Sequence, residues 1–386
     1  MNSARTFRAP GRVNLIGEHT DYNLGFVLPI ALDLATYIET RSASDNRLHV
    51  HSAAKGEDRS WPLESIADAK PAHCWSDYVL GVARELVRAG VEIEPLHLDI
   101  RSDVPEGSGL SSSAALEVSS ALALLQGRHF SRVEIATLCR RAETDFVKMP
   151  CGIMDQFVAV FGHEHAAIRI DCRSLDYRTV ELPGNVEIVA VNSMVKHELG
   201  ASAYRTRVEE CGIAVDCIKA FNPQVRSLRD ATPEMIEKTP MPRVVTRRAR
   251  HIVSENLRVE LFVSAAEKKN LVRMGELFNE SHRSMQHDYE ITCDEVDFLV
   301  DAAVGISGCF GARMTGGGFG GCTVNLVHPD FVQHFAETIS ARYRERFGIQ
   351  PAIIRCIPSE GASEVEQDKR PSFSEKNSTL LHYKGK

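Results

Sequence analysis

A segment rich in glycine and serine, residues 104–115, lies between a predicted strand at 96–100 and a predicted helix at 111–125. Glycines let a backbone approach a phosphate closely, and the free N–H groups at a helix start attract its charge. The run GSGLSSSAA at 107–115 is longer than a tight loop with a serine N-cap requires, although that loop is the structural alternative. No G-x-x-x-x-G-K-[ST] run occurs, which excludes the common P-loop. The segment therefore predicts a phosphate-binding loop of another kind.

A second glycine-rich segment, residues 314–324, contains the spacing G-x-G-x-x-G at Gly316, Gly318 and Gly321. A dinucleotide-binding fingerprint needs a helix directly after these glycines. The residues that follow, TVNLV, are typical of a strand, and this excludes dinucleotide binding. Two interpretations stay open, a glycine-rich hairpin turn and a backbone that closes over bound phosphates or sugar.

A third segment, APGRVNLIGEHTDY at 9–22, concentrates polar groups within an apolar frame. Its Arg12, Glu18, His19 and Asp21 side chains could converge on one small ligand. Carboxylates suit sugar hydroxyls, because each can accept hydrogen bonds from neighbouring hydroxyl groups. The alternative is a solvated loop after a strand, which is where single charged residues usually lie. The density of polar residues favours the ligand site.

The order of predicted elements indicates an α+β fold, because strands and helices do not alternate as they do in a doubly wound sheet. Residues 33–41 and 48–52 are predicted to pair as a hairpin. A chain of 386 residues is too long for one core. We expect an N-terminal domain at 1–182, a C-terminal domain at 183–363 and a loose polar tail at 364–386.

The composition of the chain limits the kinds of molecule that it is expected to bind. The formal net charge of −7, without long runs of one sign, argues against nucleic acid or an anionic membrane. No apolar run reaches 18 residues and no signal peptide is recognisable, so we expect a cytoplasmic protein. The ten cysteines lack C-x-x-C spacing, which indicates neither a zinc site nor a disulfide framework.

Taken together, the three segments resemble the motifs of the GHMP small-molecule kinases. GRVNLIGEHTDY resembles the galactokinase signature of that family, GSGLSSSAA its ATP-binding motif and TGGGFGGC its third motif, in family order over about residues 5–360. The resemblance implies a two-domain α+β fold, with one half like domain 2 of ribosomal protein S5, a ferredoxin-like second half and the active site between them. It also implies transfer of the γ-phosphate of ATP to the 1-hydroxyl of D-galactose, with Mg²⁺, in the Leloir pathway.

The resemblance assigns roles to residues by position. Asp155, in CGIMDQF, matches the catalytic base, and Arg12 matches the arginine beside it. The positions matching the sugar site are Arg12, Glu18, His19, Thr20, Asp21, Gly152, Asp155 and Tyr204. Those matching the ATP site are Trp75, Tyr78, Gly107, Ser108, Gly109, Leu110, Ser111, Ser112 and Ser113. Ser113 and Glu143 match the magnesium positions; for Trp75, Tyr78 and Glu143 plain packing or a surface position is the alternative.

Two other functions share these motifs. One is a sibling sugar-1-kinase acting on N-acetylgalactosamine, galacturonate or arabinose. The other is a galactose and ATP sensor without turnover; such sensors lack a Ser-Ala pair in the phosphate loop, whereas residues 111–115 are complete here, which favours the enzyme. The expected partners are the small molecules galactose and ATP, and the expected state is a monomer, with a dimer as the alternative.

Overall fold

The computed structural model describes residues 4–196 and 200–366. The strands within these ranges are β1 (Arg5–Asn14), β2 (Phe26–Val27), β3 (Pro29–Ser42), β4 (Arg47–Ser52), β5 (Glu57–Pro62), β6 (Leu96–Ser102), β7 (Ala166–Asp171), β8 (Tyr177–Glu181), β9 (Glu187–Lys196), β10 (Cys309–Thr315), β11 (Gly320–Val327), β12 (Ala352–Cys356) and β13 (Ser363–Val365). The helices are α1 (Asp77–Arg88), α2 (Ser112–Leu125), α3 (Arg132–Arg141), α4 (Met154–Phe161), α5 (Gly200–Lys219), α6 (Pro233–Lys238), α7 (Arg243–Glu267), α8 (Leu271–Ser284), α9 (Asp294–Val304) and α10 (Val332–Phe347).

Short helical segments complete these elements. Single π-helical stretches extend α3 at Ala142–Val147 and α8 at Met285–Tyr289. The 3₁₀ turns are Asp21–Asn23, Leu63–Ser65, Leu228–Asp230 and Pro329–Phe331. None of the helices in the described ranges is long and apolar enough to cross a membrane.

The first half is built on a six-stranded sheet of order β13-β1-β3-β6-β4-β5, in which β4 and β6 run parallel. Its apolar face packs against α1 to α4 in one core. The predicted hairpin between 33–41 and 48–52 is wrong, because β6 lies between β3 and β4. Leu98 and Ile100 of β6 are buried beside Val50 and Ile38 of the two flanking strands, so inserting β6 extends one continuous apolar face.

The second half is built on an antiparallel sheet of order β10-β11-β9-β12. Residues alternate along β9, so that Val189 and Val191 pack in the core with α9 and α10, whereas Ile188 and Ala190 face the other side. That second core contains Phe278 of α8 and also Val13 and Ile30 from the first half. The two halves therefore meet along a shared apolar core beside β1.

The end of the described chain returns to the first sheet. Strand β13 pairs antiparallel with β1, and Arg5 forms an ion pair with Glu364 at 2.7 Å. Residues 364 and 365 are therefore in a strand and not in the predicted polar tail. Residues 367–386 of that tail lie outside the described residues. A further three-stranded sheet, β2-β7-β8, lies beside the turn that follows β1.

Candidate active site

An ion pair between Arg12 and Asp155 joins two of the predicted motifs. Arg12 Nε donates to Asp155 Oδ1 at 2.8 Å, and Nη2 donates to Oδ2 at 2.7 Å. Arg12 Nη1 also donates to the carbonyl of Gly109 at 2.5 Å, and Ser111 Oγ donates to Asp155 Oδ2. Burial alone would lower the pKa of Arg12, but the Asp155 carboxylate raises it. Arg12 is therefore a fixed cation between the carboxylate and the phosphate loop.

The phosphate loop is held directly against β1. The Arg12 backbone N–H donates to Leu110 O at 3.0 Å, and a Cβ added at Gly11 would lie 2.7 Å from the same oxygen. Ser111 adopts a left-handed conformation with φ 61° and makes no N-cap hydrogen bond to α2. The N-cap interpretation of this serine is therefore wrong, because its hydroxyl is used by Asp155 instead. The first backbone N–H groups of α2 therefore receive no hydrogen bond from the Ser111 side chain. An anion-binding site at a helix start requires N–H groups that are left available in this way.

A cavity of about 220 Å³ brings together five of the predicted ATP-site residues. Its lining includes Trp75, Tyr78, Gly107, Ser112 and Ser113. The indole N–H of Trp75 donates to Glu57 at 3.0 Å, which fixes the ring at the cavity wall.

The remaining four predicted ATP-site residues do not line this cavity. Ser108 and Leu110 are buried, and Ser108 Oγ donates to Pro105 O at 2.7 Å. Gly109 has φ +79°, a conformation that favours glycine, and its carbonyl is bound by Arg12. These residues, together with Ser111, stabilise the conformation of the phosphate loop through contacts outside the cavity.

Two buried carboxyl groups, Glu117 and Glu143, are bridged by Gln156, the residue after Asp155. Gln156 Nε2 donates to Glu143 at 2.6 Å and to Glu117 at 2.9 Å. Burial, followed by the nearby Asp155, raises the pKa of Glu143 to about 7, and a hydrogen bond from Ser113 partly opposes this shift. Burial and the charge of Glu143 raise the pKa of Glu117 well above its usual range. Ser113 and Glu143 thus place a hydroxyl and a carboxyl side by side at the cavity.

The turn after β1 carries the predicted sugar-site residues. Glu18 Oε1 accepts hydrogen bonds from Gly316 N at 3.1 Å and from Thr315 Oγ1 at 3.1 Å. These bonds join the segment 9–22 to the glycine-rich segment 314–324. Burial raises the pKa of Glu18, whereas Arg313 and Arg12 oppose this rise. The hydroxyl of Thr20 lies 2.8 Å from Gly17 O and 2.6 Å from Phe26 O, so it stabilises the turn itself.

Asp21, Gly152 and Tyr204 lie together beside the ion pair. A side chain at Gly152 would collide with the Asp21 carboxylate, so only glycine fits there. Burial, followed by repulsion from Asp155, raises the pKa of Asp21 to about 6. The ring of Tyr204 lies 5.1 Å from that of His19, measured between centroids. The structure therefore brings the predicted sugar-site residues to one place between the two halves.

Comparisons with known proteins agree with this geometry. The galactokinase galactose-binding signature matches residues 2–42, the GHMP kinases N terminal domain matches residues 77–163, and the GHMP kinases C terminal domain matches residues 262–345. Galactokinase of Roseiflexus sp. (strain RS-1) is 42% identical over 368 residues, which cover 94% of this chain and 94% of that protein. Galactokinase of Thermosipho africanus (strain TCF52B) is 38% identical, over 93% of this chain and 99% of that protein. The chain belongs to the galactokinase family.

Solved structures extend this result to the fold. Lactococcus lactis galactokinase complexed with galactose superposes with a TM-score of 0.89 at 34% identity, over 94% of this chain and 96% of that chain. Methanococcus jannaschii mevalonate kinase shares the fold, with a TM-score of 0.66 at 18% identity over 93% of this chain and 99% of that chain. The predicted α+β GHMP kinase fold is confirmed, and the protein is an ATP-dependent sugar kinase of the galactokinase family.

A buried ion cluster behind the sugar turn was not predicted from the sequence. Arg313 is fully buried; its Nη1 donates to Leu15 O at 2.8 Å and lies 3.3 Å from Glu18 Oε1. Glu255 Oε1 accepts from the Gly17 N–H at 2.9 Å, and Glu255 Oε2 accepts from Arg258 at 2.6 Å. Burial would raise the pKa of Glu255, but Arg258 and Arg313 lower it well below its usual range. The cluster fixes the backbone and the carboxylate of the sugar turn.

Sequence signals for the missed residues were weak. Glu117 is the single charged residue of the apolar helix α2, a pattern that indicates a buried functional carboxyl group. Arg313 stands between Ala312 and Met314 on β10, where alternation would place it on the polar face of the strand, so its burial could not be predicted. Glu255 lies in a helix with many charged residues, where nothing in the sequence distinguishes it.

Proposed function

We propose that the chain transfers the γ-phosphoryl group of ATP to the 1-hydroxyl of D-galactose, giving galactose 1-phosphate and ADP. The observation that carries this proposal is the position of Asp155. One of its oxygens accepts from Ser111 of the phosphate loop, and both are bonded to Arg12 of the sugar motif. A carboxylate at this junction can meet a sugar hydroxyl on one side and a phosphate on the other.

In the proposed mechanism the protein mainly positions the reactants and stabilises charge, as phosphoryl transfer requires. Asp155 aligns the 1-hydroxyl of galactose and accepts its proton as the oxygen attacks the γ-phosphorus in line. Because Arg12 bonds to both oxygens of Asp155, the carboxylate is held in one orientation. The Arg12 cation also offsets negative charge on the phosphoryl oxygens.

Sugar recognition is assigned to Glu18, His19, Asp21 and Tyr204, with Gly152 making room for Asp21. Glu18 and Asp21 accept hydrogen bonds from sugar hydroxyls. A site built to bond a particular hydroxyl rejects analogues that place it elsewhere, because its own polar groups are then left unpaired. We therefore expect discrimination against glucose, whose 4-hydroxyl has the opposite configuration.

ATP is assigned to the cavity lined by Trp75 and Tyr78, with its phosphates at the start of α2. Ser113 and Glu143 would hold Mg²⁺, which prefers oxygen ligands and usually takes one or two from the protein and the rest from phosphates and water. Such a sparse donor set fits this site, because Ser113 hydrogen-bonds to the Glu143 carboxyl and the two oxygen-bearing groups therefore lie together. When bound, Mg²⁺ neutralises charge on the phosphates. Cytoplasmic location and a monomeric state remain predictions.

The test is release of ADP from ATP and Mg²⁺ with a panel of galactose, 2-deoxygalactose, glucose, N-acetylgalactosamine, galacturonate and arabinose. We expect strong turnover on galactose and 2-deoxygalactose, and a kcat lowered by about 10² to 10⁴ in Asp155→Asn if general-base catalysis operates. Asp58→Asn is the matched control, because its side chain is exposed in another part of the first sheet. Turnover on a different sugar of the panel would reassign the substrate. No turnover despite galactose binding would favour the sensor, and wild-type activity in a folded Asp155→Asn protein would remove Asp155 as the base.

A further inference from the structure

The imidazole of His19 lies in a buried group of aromatic rings behind the sugar site. Its Nδ1 is 2.9 Å from Tyr22 Oη, and its ring centroid is 4.9 Å from that of Tyr289. His19 itself is 4% exposed. Its Nε2 is buried and has no hydrogen-bond partner within residues 4–196 and 200–366. One ring nitrogen is therefore bonded to Tyr22, and the other has the Gly317 backbone near it but no hydrogen bond of normal geometry.

A chain of hydrogen bonds continues from Tyr22 into the second half of the protein. Tyr22 Oη lies 2.7 Å from Tyr289 Oη, which in turn lies 3.1 Å from Cys211 Sγ. Asn23 Nδ2 donates to His19 O at 2.9 Å and to Cys211 Sγ at 3.6 Å. Because His19 O is an acceptor only, it fixes the amide of Asn23 with its N–H groups towards His19 and Cys211. The chain of hydrogen bonds therefore begins at the amide NH₂ group of Asn23, which can only donate.

The protonation states of these groups follow from their burial. Burial, followed by repulsion from His251, lowers the pKa of His19 to about 3, and the backbone of Gly317 opposes this shift only in part. Burial also raises the pKa values of Tyr22 and Tyr289 well above 10, so both phenols keep their protons at neutral pH. A neutral imidazole carries one proton, and its position decides whether Nε2 donates or accepts.

When a sugar oxygen accepts from His19 Nε2, only one direction of donation pairs every proton of the chain. If Cys211 donates to Tyr289, Tyr289 to Tyr22, and Tyr22 to His19 Nδ1, then each hydroxyl both donates once and accepts once. In the reverse direction Cys211 Sγ accepts from both Tyr289 and Asn23, and its own S–H has no acceptor among the contacts recorded for the described part of the chain. In the first direction the remaining proton is the His19 Nε2–H, which a bound sugar can accept, whereas in the reverse direction the S–H stays unpaired with or without sugar. A buried donor without an acceptor costs free energy, so a bound sugar favours the first direction. It leaves the His19 proton on Nε2.

We propose that Tyr22 and Tyr289 are positioning residues for the sugar, because their hydroxyls hold His19 in the tautomer whose Nε2–H donates to galactose. The proposal rests on the function proposed above. It adds a donor to that of the Tyr204 hydroxyl, since the carboxylates of Glu18 and Asp21 accept hydrogen bonds, whereas ether and hydroxyl oxygens of a sugar also require donors. Neither tyrosine needs to touch the substrate for this role.

Steady-state kinetics separate this role from a structural one. In Tyr22→Phe the ring remains but the bond to His19 Nδ1 is lost, so we expect the KM for galactose to rise about 5- to 50-fold, with the KM for ATP within about 2-fold of wild type. Tyr289→Phe keeps the hydrogen bond between Tyr22 and His19 but removes the hydroxyl that donates to Tyr22. We therefore expect a smaller rise in the KM for galactose. Tyr343→Phe is the matched control, because Tyr343 is also buried and its hydroxyl donates to Ser193 O at 2.9 Å, away from the cluster.

The tautomer itself is observable by ¹⁵N NMR of histidine-labelled protein with galactose bound, and a His19→Gln variant assigns the His19 signals. We expect a protonated Nε2 and a bare Nδ1 in the wild type, and a mixture of tautomers in Tyr22→Phe. Cys211→Ser retains a donor at the end of the chain, so its galactose KM should equal that of wild type. Cys211→Ala removes the donor and should raise the galactose KM as Tyr289→Phe does. These two variants keep the proposal testable if a tyrosine variant fails to fold.

A wild-type His19 protonated on Nδ1 would overturn the proposal, and so would an unchanged galactose KM in folded Tyr22→Phe. A wild-type protein that does not phosphorylate galactose would contradict the proposed function instead, so the two failures are distinguishable.

Discussion

The sugar turn is held from both halves of the protein, whereas the nucleotide cavity is lined by residues of the first half alone. Glu18 is bonded by Arg313, Thr315 and Gly316 of the second half, and all of these contacts are buried. The cavity residues lie between Thr36 and Leu116 and include exposed Lys55, Glu106 and Gly107. One substrate site therefore depends on packing between the two halves, and the other is built within the first half from one sheet and helices α1 and α2.

This difference indicates how each substrate is bound. Bonded side chains on the sugar side are already fixed, so little conformational freedom is lost when galactose arrives. The nucleotide cavity has exposed lining residues, and the N–H groups at the start of α2 have no cap from Ser111. This side of the site can therefore adapt to a flexible triphosphate. We expect sugar affinity to depend on residues of both halves and nucleotide affinity to depend on residues of the first half alone.

The largest effect is expected when the buried cluster is broken. Arg313→Met leaves Glu18 and Glu255 without a buried cation that touches both. Removing one partner of a buried ion cluster costs about 3–5 kcal/mol of the free energy of unfolding. Chemical denaturation measures this loss, and in the folded fraction the KM for galactose should rise more than the KM for ATP.

Arg355→Met is the control for that variant. Arg355 pairs with Glu187 at an exposed position, where an ion pair contributes about 0–1 kcal/mol. Equal destabilisation by the two changes would contradict the view that the sugar turn depends on the buried cluster.

A smaller and more local effect is expected at Gly152. Gly152→Ala forces the Asp21 carboxylate away from its position, because the added methyl group would occupy the same space. Loss of one charged hydrogen bond to the sugar corresponds to an increase in galactose KM of about 10- to 100-fold. The ATP KM should stay within about 2-fold of wild type on the same scale.

Trp75→Ala is the corresponding variant on the nucleotide side. It removes a cavity wall that Glu57 holds in place, so it should raise the KM for ATP and leave the KM for galactose unchanged. If both variants raised both KM values together, the two halves of the site would not be independent.

The smallest predicted effect is a pH dependence of galactose binding. The pKa of Asp21 is raised to about 6, so its carboxylate is ionised above that pH and protonated below it. Sugar hydroxyls donate to the ionised form, and affinity should therefore fall by about tenfold between pH 7 and pH 5. Calorimetric titration with galactose measures this change. Asp21→Asn should bind more weakly at every pH and without this step; a pH-independent wild type would contradict the assignment.

The difference between the two sides also explains what the sequence could predict. The phosphate loop is a contiguous run that precedes a helix, so both its structure and its chemistry are readable from residues 104–115. The helix α2 was predicted to within a residue because its apolar spacing is local. The segment 9–22 likewise predicted Glu18, His19 and Asp21 as sugar-site residues, whereas Gly152, Asp155 and Tyr204 were assigned only by the family resemblance.

Contacts between distant segments could not be predicted in this way. Arg313 and Glu255 are remote in sequence from Glu18, and nothing in their local pattern indicates which residues they contact. The order of strands was mispredicted at β3 and β4 because a strand from later in the chain pairs between them. The pairing of β13 with β1 joins the two ends of the described chain, and three residues of polar sequence carry no signal for it.

The most direct test of the account is the affinity of the protein for galactose in the absence of any nucleotide, measured by calorimetry and repeated with a non-hydrolysable ATP analogue and Mg²⁺. A sugar site that is already assembled should bind galactose alone, with a dissociation constant within about 3-fold of the value with the analogue, a difference of less than about 1 kcal/mol. Galactose binding that appears only after the nucleotide is bound would contradict the claim that the two halves of the protein fix the sugar turn by themselves.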